Sequence, residues 1–321
     1  MPRRLSAVAV LVAASVLALA GCASSAPGAG GGDGRVAIVA STDVYAQIAE
    51  EIGGDLADVT AIIDSGAQDP HEFEASARDQ LTVSRADLLI QNGAGYDSFM
   101  ESLIDATGTQ APMLTAVEFS PAWPGEHADE GDDHSDEGDH EDHDHIEGFN
   151  EHVWYDPQTV GKLANAIADE LSDLAPEHAN AFAANADAFL AEIAELGEGL
   201  DAIAADHAGT RIFVTEPVPL YLTEAAGLVN ATPAEFSEAV EEGQDVPPAT
   251  LLAALGLVES GDVRVVIVNA QTGGAETTQV IDTAKAHDIP VLEVTETLPE
   301  GQTYISWMQA NIDALAAALA A

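Results

Sequence analysis

One stretch constrains this chain more than any other. From residue 177 to about residue 205 the sequence is Ala-rich, and Phe182, Phe189, Ile193, Leu196, Leu200 and Ile203 recur mostly three or four residues apart. That spacing puts them on one face of a single amphipathic helix, roughly 40 Å long at about 1.5 Å per residue. Gly197 and Gly199 weaken its last third and allow a bend there. On either side of the helix the same pattern appears. Before it, β-branched runs at 35–40, 59–63 and 87–91 alternate with helical spacing at 41–53, 80–86 and 97–105, with Ser41 or Thr42 placed to cap the first helix. After it, strands at 211–215, 263–269 and 290–294 alternate with helices at 220–227, 247–259, 277–287 and 305–320. Repeated βα alternation means a parallel sheet covered by helices. The sequence therefore predicts an α/β protein of two lobes, each a parallel sheet covered by helices, joined by one long rigid helix.

The chain begins with a targeting segment. Arg3 and Arg4 precede an apolar run over 5–20, and Leu19-Ala20-Gly21-Cys22 closes it. The run is short for a membrane span, which needs about 20 residues, and its small-residue ending suits a signal peptidase. Leu-Ala-Gly-Cys resembles the lipobox of bacterial lipoproteins, and Cys22 is the only cysteine. Residues 1–21 thus read as a lipoprotein signal peptide. Cleavage before Cys22 leaves a chain without disulfides, held by lipid at the outer face of the plasma membrane, on the cell-surface or periplasmic side. Residues 22–34 read as a flexible tether. An N-terminal lobe is expected over 35–156, a helical segment with the inter-lobe helix over 157–205, and a C-terminal lobe over 206–321. Asp156-Pro157 marks the helix start, and Ala175-Pro176 interrupts it near residue 174.

Within the first lobe the pattern collapses between 121 and 148. Residues 126–147 are almost wholly Asp, Glu, His and Gly, with His127, His134, His140, His143 and His145. Such a composition buries too little apolar surface to pack, so a disordered surface loop is predicted, with those histidines as auxiliary metal-capturing groups. The whole chain carries 56 acids against 9 bases, a formal charge of −47. That field repels polyanions and excludes nucleic acid as a partner, while it attracts cations.

Four places repeat one theme, a His or Glu in the loop beyond a strand: His71 after Gln68-Asp69-Pro70, His152 in Glu151-His152-Val153-Trp154, Glu216 after Thr215, and Glu296 after Thr295. Ligands of open α/β sheets bind outside the carboxyl ends of the strands. Taken singly, each residue is an ordinary loop group. Together, two neutral imidazoles and two carboxylates balance a divalent cation with ligands suited to zinc and acceptable to manganese.

At these residues the chain resembles the cluster A-I substrate-binding proteins of ABC transporters, which bind zinc or manganese. The carrying motifs are Asp69-Pro70-His71-Glu72-Phe73-Glu74, Asn92-Gly93-Ala94-Gly95 and Asn150-Glu151-His152-Val153-Trp154-Tyr155-Asp156-Pro157. The resemblance runs from Arg35 to the C-terminus. It implies a rigid helical connector, small lobe motions on binding, a cognate ABC membrane permease as partner, and a monomer. It also places the family's third and fourth ligands on Glu216 and Glu296. The fourth is usually Asp, so Glu296 lengthens that arm by one methylene. Glu216 argues for manganese, and the His-rich loop for zinc; zinc is the favoured cargo and Mn2+ the alternative. An enzyme is not expected: a zinc hydrolase would want a helical His-Glu-x-x-His or a Gly-x-Ser-x-Gly elbow, and neither is present. A surface adhesin or passive metal buffer is the remaining alternative, and it predicts weak multi-site binding that survives loss of His71.

Overall fold

The computed structural model describes residues 34–66, 68–125, 146 and 148–321. Cys22 and the five loop histidines, His127, His134, His140, His143 and His145, lie outside the described residues.

The first lobe opens with β1 (Val36–Thr42), α1 (Asp43–Gly53) and β2 (Ala57–Ile63), then α2 (Ala77–Val83), β3 (Leu88–Gln91), α3 (Phe99–Thr107) and β4 (Met113–Thr115). Its four strands are parallel in the order β2-β1-β3-β4. Two helices follow, α4 (Pro157–Leu174) and α5 (Ala179–His207). The second lobe then runs β5 (Arg211–Val214), α6 (Leu220–Ala225), β6 (Val229–Asn230), α7 (Ala234–Glu241), α8 (Pro248–Glu259), β7 (Val266–Asn269), α9 (Ala275–Ala286), β8 (Val291–Val294) and α10 (Tyr304–Ala320). Its sheet is also parallel, in the order β6-β5-β7-β8. Each lobe therefore places its first strand between its second and third. Between the first and third strands the chain reverses its direction of travel across the sheet, and there the carboxyl ends open a crevice.

The expected α/β architecture of two parallel sheets and a long helix is the one observed, with local differences that have physical causes. Helix α2 begins three residues earlier than periodicity predicts, because Ser76 and Asp79 form a capping box in which Ser76 Oγ accepts from the Asp79 amide and Asp79 accepts from the Ser76 amide. Thr42 stands at the N-cap of α1 but makes no side-chain cap hydrogen bond. Strands β4 and β6 and helix α7 were not legible, since the strands are only three and two residues long and α7 buries Phe236 alone. Helix α4 starts where expected: Asp156 accepts from the Gln158 amide at 3.0 Å, and Pro157 takes the first helical position. Helix α5 passes unbroken through Gly197 and Gly199. A Cβ at Gly199 would lie 3.2 Å from Ile312 of α10, so the glycine permits close packing there rather than a bend.

The apolar stripe read from the sequence is the buried face of α5: Phe182, Phe189, Ile193, Leu196, Leu200 and Ile203. It belongs to one cluster that runs through both lobes, from Ile38, Ile48 and Leu88 to Ile212, Trp307 and Ile312. Smaller clusters cover the far faces, around Phe99 and Met100 in the first lobe and around Phe213 and Phe236 in the second. No helix among the described residues is long and apolar enough to cross a membrane.

Candidate metal centre

His71 lies in the loop after β2. Its backbone amide donates to Asp69 Oδ1 at 2.9 Å, an Asx turn that explains the Asp-Pro before it. Its ring meets Tyr96 edge-on at 4.9 Å between centroids. His152 lies in the segment that leads from β4 into α4, is 1 % exposed, and packs edge-on against Tyr96 and Trp154. The Asn92 loop supports it from below. The Asn92 and Gly93 amides donate to the Asp97 carboxylate at 2.6 and 2.9 Å, and Asn92 Nδ2 donates to the Glu151 carbonyl at 3.1 Å. Gly93 has φ 88°, and a Cβ there would meet Thr115 at 2.5 Å, so this turn demands glycine.

The second lobe supplies carboxylates. Glu216 follows β5 and Glu296 follows β8, and both are buried. Asn269, the last residue of β7, bridges them: its Nδ2 donates to Glu216 Oε2 at 2.9 Å and to Glu296 Oε1 at 2.7 Å. Thr272 donates its hydroxyl to the other oxygen of Glu216. Gln271 Oε1 accepts from the Glu296 and Thr297 amides, while its Nε2 donates to the Gly66 carbonyl of the first lobe at 2.9 Å.

These elements bring together most of the sequence-predicted set. Donor atoms of His71, His152 and Glu296 all lie within 4.8 Å of one another. Glu216 falls outside that tight group and is tied to it through Asn269. Two carboxylates were missed by sequence reasoning. Glu151 Oε1 lies 4.0 Å from His71 Nε2, and Glu241 Oε1, at the end of α7, lies 3.9 Å from His152 Nδ1. Glu151, His152 and Glu241 form a second group within 4.8 Å. Glu151 was in plain view beside His152; Glu241 was one acid among 56, with no motif to mark it. Beside the cluster opens a cavity of about 650 Å3, lined by Asp69, Glu72, Glu241, Glu242, Asp245 and Glu276 among others.

Electrostatically the cluster is incomplete as protein alone. Burial pushes the Glu296 carboxyl up to about 8, with the Glu216 charge adding to the effect. Burial likewise raises Glu216, against the hydrogen bonds from Thr272 and Asn269. Glu241 is raised by burial and then by Glu151, Glu216 and Glu296. Desolvated like charges favour the protonated forms, and a divalent cation among them would reverse that preference. Two imidazoles and clustered carboxylates fit zinc or manganese by ligand type.

A two-lobed α/β protein whose loops bring imidazoles from one lobe and carboxylates from the other into a shared cleft is, by class, a metal-site solute-binding fold. The family described as zinc-uptake complex component A, periplasmic (ZnuA), matches residues 38–318, and the chain belongs to that family. It is 28% identical over 309 residues to the manganese-binding lipoprotein MntA of Halalkalibacterium halodurans, covering 94% of this chain and 95% of the relative. It is 26% identical over 299 residues to the zinc-binding lipoprotein AdcA of Streptococcus pneumoniae; that match covers 88% of this chain but 56% of the relative, so the chain spans about half of AdcA. Among solved structures, the periplasmic zinc-binding protein TroA of Treponema pallidum shares the fold with a TM-score of 0.70 at 17% identity, covering 89% of this chain and 99% of TroA.

Proposed function

We propose that this protein is the extracytoplasmic solute-binding component of an ABC-type uptake system, and that its cargo is one divalent transition-metal ion held between the lobes by His71, His152, Glu216 and Glu296. One observation carries the reading: donor atoms of the half-buried His71 and the buried His152 and Glu296, drawn from three separate loops and both lobes, lie within 4.8 Å of one another, with Glu216 hydrogen-bonded through the same asparagine as Glu296. A cluster of that kind costs stability unless a cation neutralises it.

Family membership supports the role, and the relatives named above as manganese- and zinc-binding lipoproteins support the cargo class. Within that class zinc is the proposed cargo, on the strength of the paired imidazoles and of the His-rich 126–147 segment as an auxiliary collector. The nearness of Glu151 to His71 favours a second reading, manganese, because oxygen donors suit a harder ion. The rest of the reading is a lipid-anchored monomer, acylated at Cys22, working at the outer membrane face with a cognate permease.

Native mass spectrometry of the mature chain lacking 126–147, offered zinc and manganese together, tests this. One ion per chain is expected, with zinc retained when both are present. Failure of the deleted chain to hold any ion tightly overturns the site; retention of manganese overturns the choice of zinc. Cys22→Ser should release the protein or stall its processing, and a cleaved variant that stays on the membrane would remove the lipid anchor from the reading.

A further inference from the structure

Asn150 makes an unusual number of contacts for a residue that is not itself a candidate ligand. Its Oδ1 accepts the backbone amide of His152 at 3.1 Å and lies 2.7 Å from His152 Nδ1. Its Nδ2 donates to the carbonyl of Pro217 at 3.0 Å, across the cleft and 67 residues away in sequence. Its own carbonyl accepts the hydroxyl of Tyr221 at 2.7 Å.

These partners settle which way the side chain faces. A backbone amide only donates, and a carbonyl only accepts, so the amide oxygen must point to His152 and the amide nitrogen to Pro217. The oxygen cannot donate, so the short contact to Nδ1 requires a proton on that ring nitrogen. A neutral imidazole with its proton on Nδ1 has its lone pair on Nε2. The ring thus offers Nε2 as its ligand atom, and the partner of the other nitrogen fixes both tautomer and orientation.

The far end of the same side chain matters equally. Pro217 is the residue after Glu216, and its carbonyl also accepts the Leu220 amide at 3.0 Å, closing the turn that follows β5. One amide group therefore holds the ring of a first-lobe ligand and the loop of a second-lobe ligand. We infer that Asn150 is a positioning residue that sets the tautomer of His152 and couples the seating of the ion on that ring to the order of the Glu216 loop. A cation on Nε2 withdraws charge from the ring and makes the Nδ1 proton a stronger donor to Oδ1. Hydrogen bonds in such a chain polarise one another, so the bond from Nδ2 to Pro217 tightens with it. The inference rests on the four-ligand reading above and adds the residue that makes the two lobes respond together.

Two variants separate the two ends of the amide. Asn150→Ala removes both contacts. Asn150→Asp keeps an acceptor facing Nδ1 and puts a second acceptor, in place of the donor, against the Pro217 carbonyl. Zinc affinity by competition calorimetry, on chains lacking 126–147, should fall about 10- to 100-fold in Asn150→Ala and stay within about threefold of the parent in Asn150→Asp. Hydrogen exchange supplies the second readout. In the parent, zinc should slow exchange of the Val218 and Leu220 amides; in Asn150→Asp that slowing should be lost while zinc still binds. Unchanged affinity in Asn150→Ala, equal losses in both variants, or full zinc protection of Leu220 in Asn150→Asp would each overturn the proposal. If Asn150→Ala does not fold, the exchange pattern of Asn150→Asp decides alone. His152→Ala in the same titration keeps the two readings apart. If it binds normally, the four-ligand site fails; if it loses binding while Asn150→Ala does not, only the role of Asn150 fails.

Discussion

His71 and His152 sit against the rings of Tyr96 and Trp154, whereas Glu216 and Glu296 sit against the amides and hydroxyl of Asn269, Gln271 and Thr272. The first-lobe half rests mostly on rings and amides that pack well without any ion, with the buried Glu151 carboxylate beside His71. Edge-on aromatic contacts hold both imidazoles in place, and the Asn150 bond adds to the hold on His152. The second-lobe half is charged and buried, and its amide bridge satisfies only part of the demand of two carboxylates. One half is finished on folding; the other waits for its counter-charge.

The largest expected effect comes from the finished half. Replacing both His71 and His152 by Ala, in a chain lacking 126–147, should weaken one-to-one zinc binding by about four orders of magnitude, taking on the order of 10–16 kcal/mol for a four-ligand zinc site. Undiminished affinity by competition calorimetry would remove the site. The unfinished half should announce itself through pH. Burial, and then the Glu216 charge, push the Glu296 carboxyl up to about 8 in the folded metal-free protein, above the ordinary carboxyl value near 4.5. The folded chain therefore binds more protons than the unfolded chain between those values, and metal-free stability should fall as pH rises through that window. Zinc displaces that proton, and imidazole protonation, near pH 6.5 unperturbed, opposes zinc at the acid end. Melting by calorimetry should thus show a zinc-induced rise that widens from pH 5 to 8, reaching on the order of 8 °C at a zinc concentration about 1,000-fold above Kd. A gap that narrows over the same range would contradict the electrostatic half of the comparison.

Smaller effects sharpen it. Asn269→Ala removes the one donor shared by Glu216 and Glu296 and should weaken zinc binding about tenfold by calorimetry, as losses of outer-shell partners do. Glu241→Gln should leave affinity within roughly tenfold of the parent, since Glu241 stands beside the Nδ1 side of His152. It should nevertheless raise the metal-free melting temperature by a few degrees, because a carboxyl disfavoured by burial and by its acidic neighbours has gone. A metal-free protein made less stable by Glu241→Gln would show that its carboxyl is satisfied in a way the cluster does not reveal.

The same contrast explains what could be read from the chain alone. The histidine half was legible because its supports are local: Asp69 two residues before His71, and Asn150 two residues before His152, give motifs with fixed spacing. The long helix was legible because six large apolar groups keep helical spacing over its whole length. Glu216 and Glu296 were reached through strand ends and the family resemblance, with no local motif to mark them, since their partners Asn269 and Thr272 lie dozens of residues away. Glu241 was not reached at all. It is delivered by a two-residue strand and a helix with one buried side chain, and nothing in that local pattern records that the helix end folds over His152.

The apolar cluster that passes from Ile38 through the α5 face to Ile312 has a consequence for how cargo leaves. A mouth that gaped widely would have to split that cluster and wet its close-packed faces, and close packing resists such division. Handover is therefore expected to turn on single polar bonds between the lobes: the Gln271 latch to Gly66, the Tyr155 hydroxyl on the Thr295 carbonyl, the Leu298 amide on the Asp43 carboxylate. Of these, the Gln271 bond lies exposed, whereas the Tyr155 side chain is buried in the cluster itself. The spine stays whole while the clasp is opened.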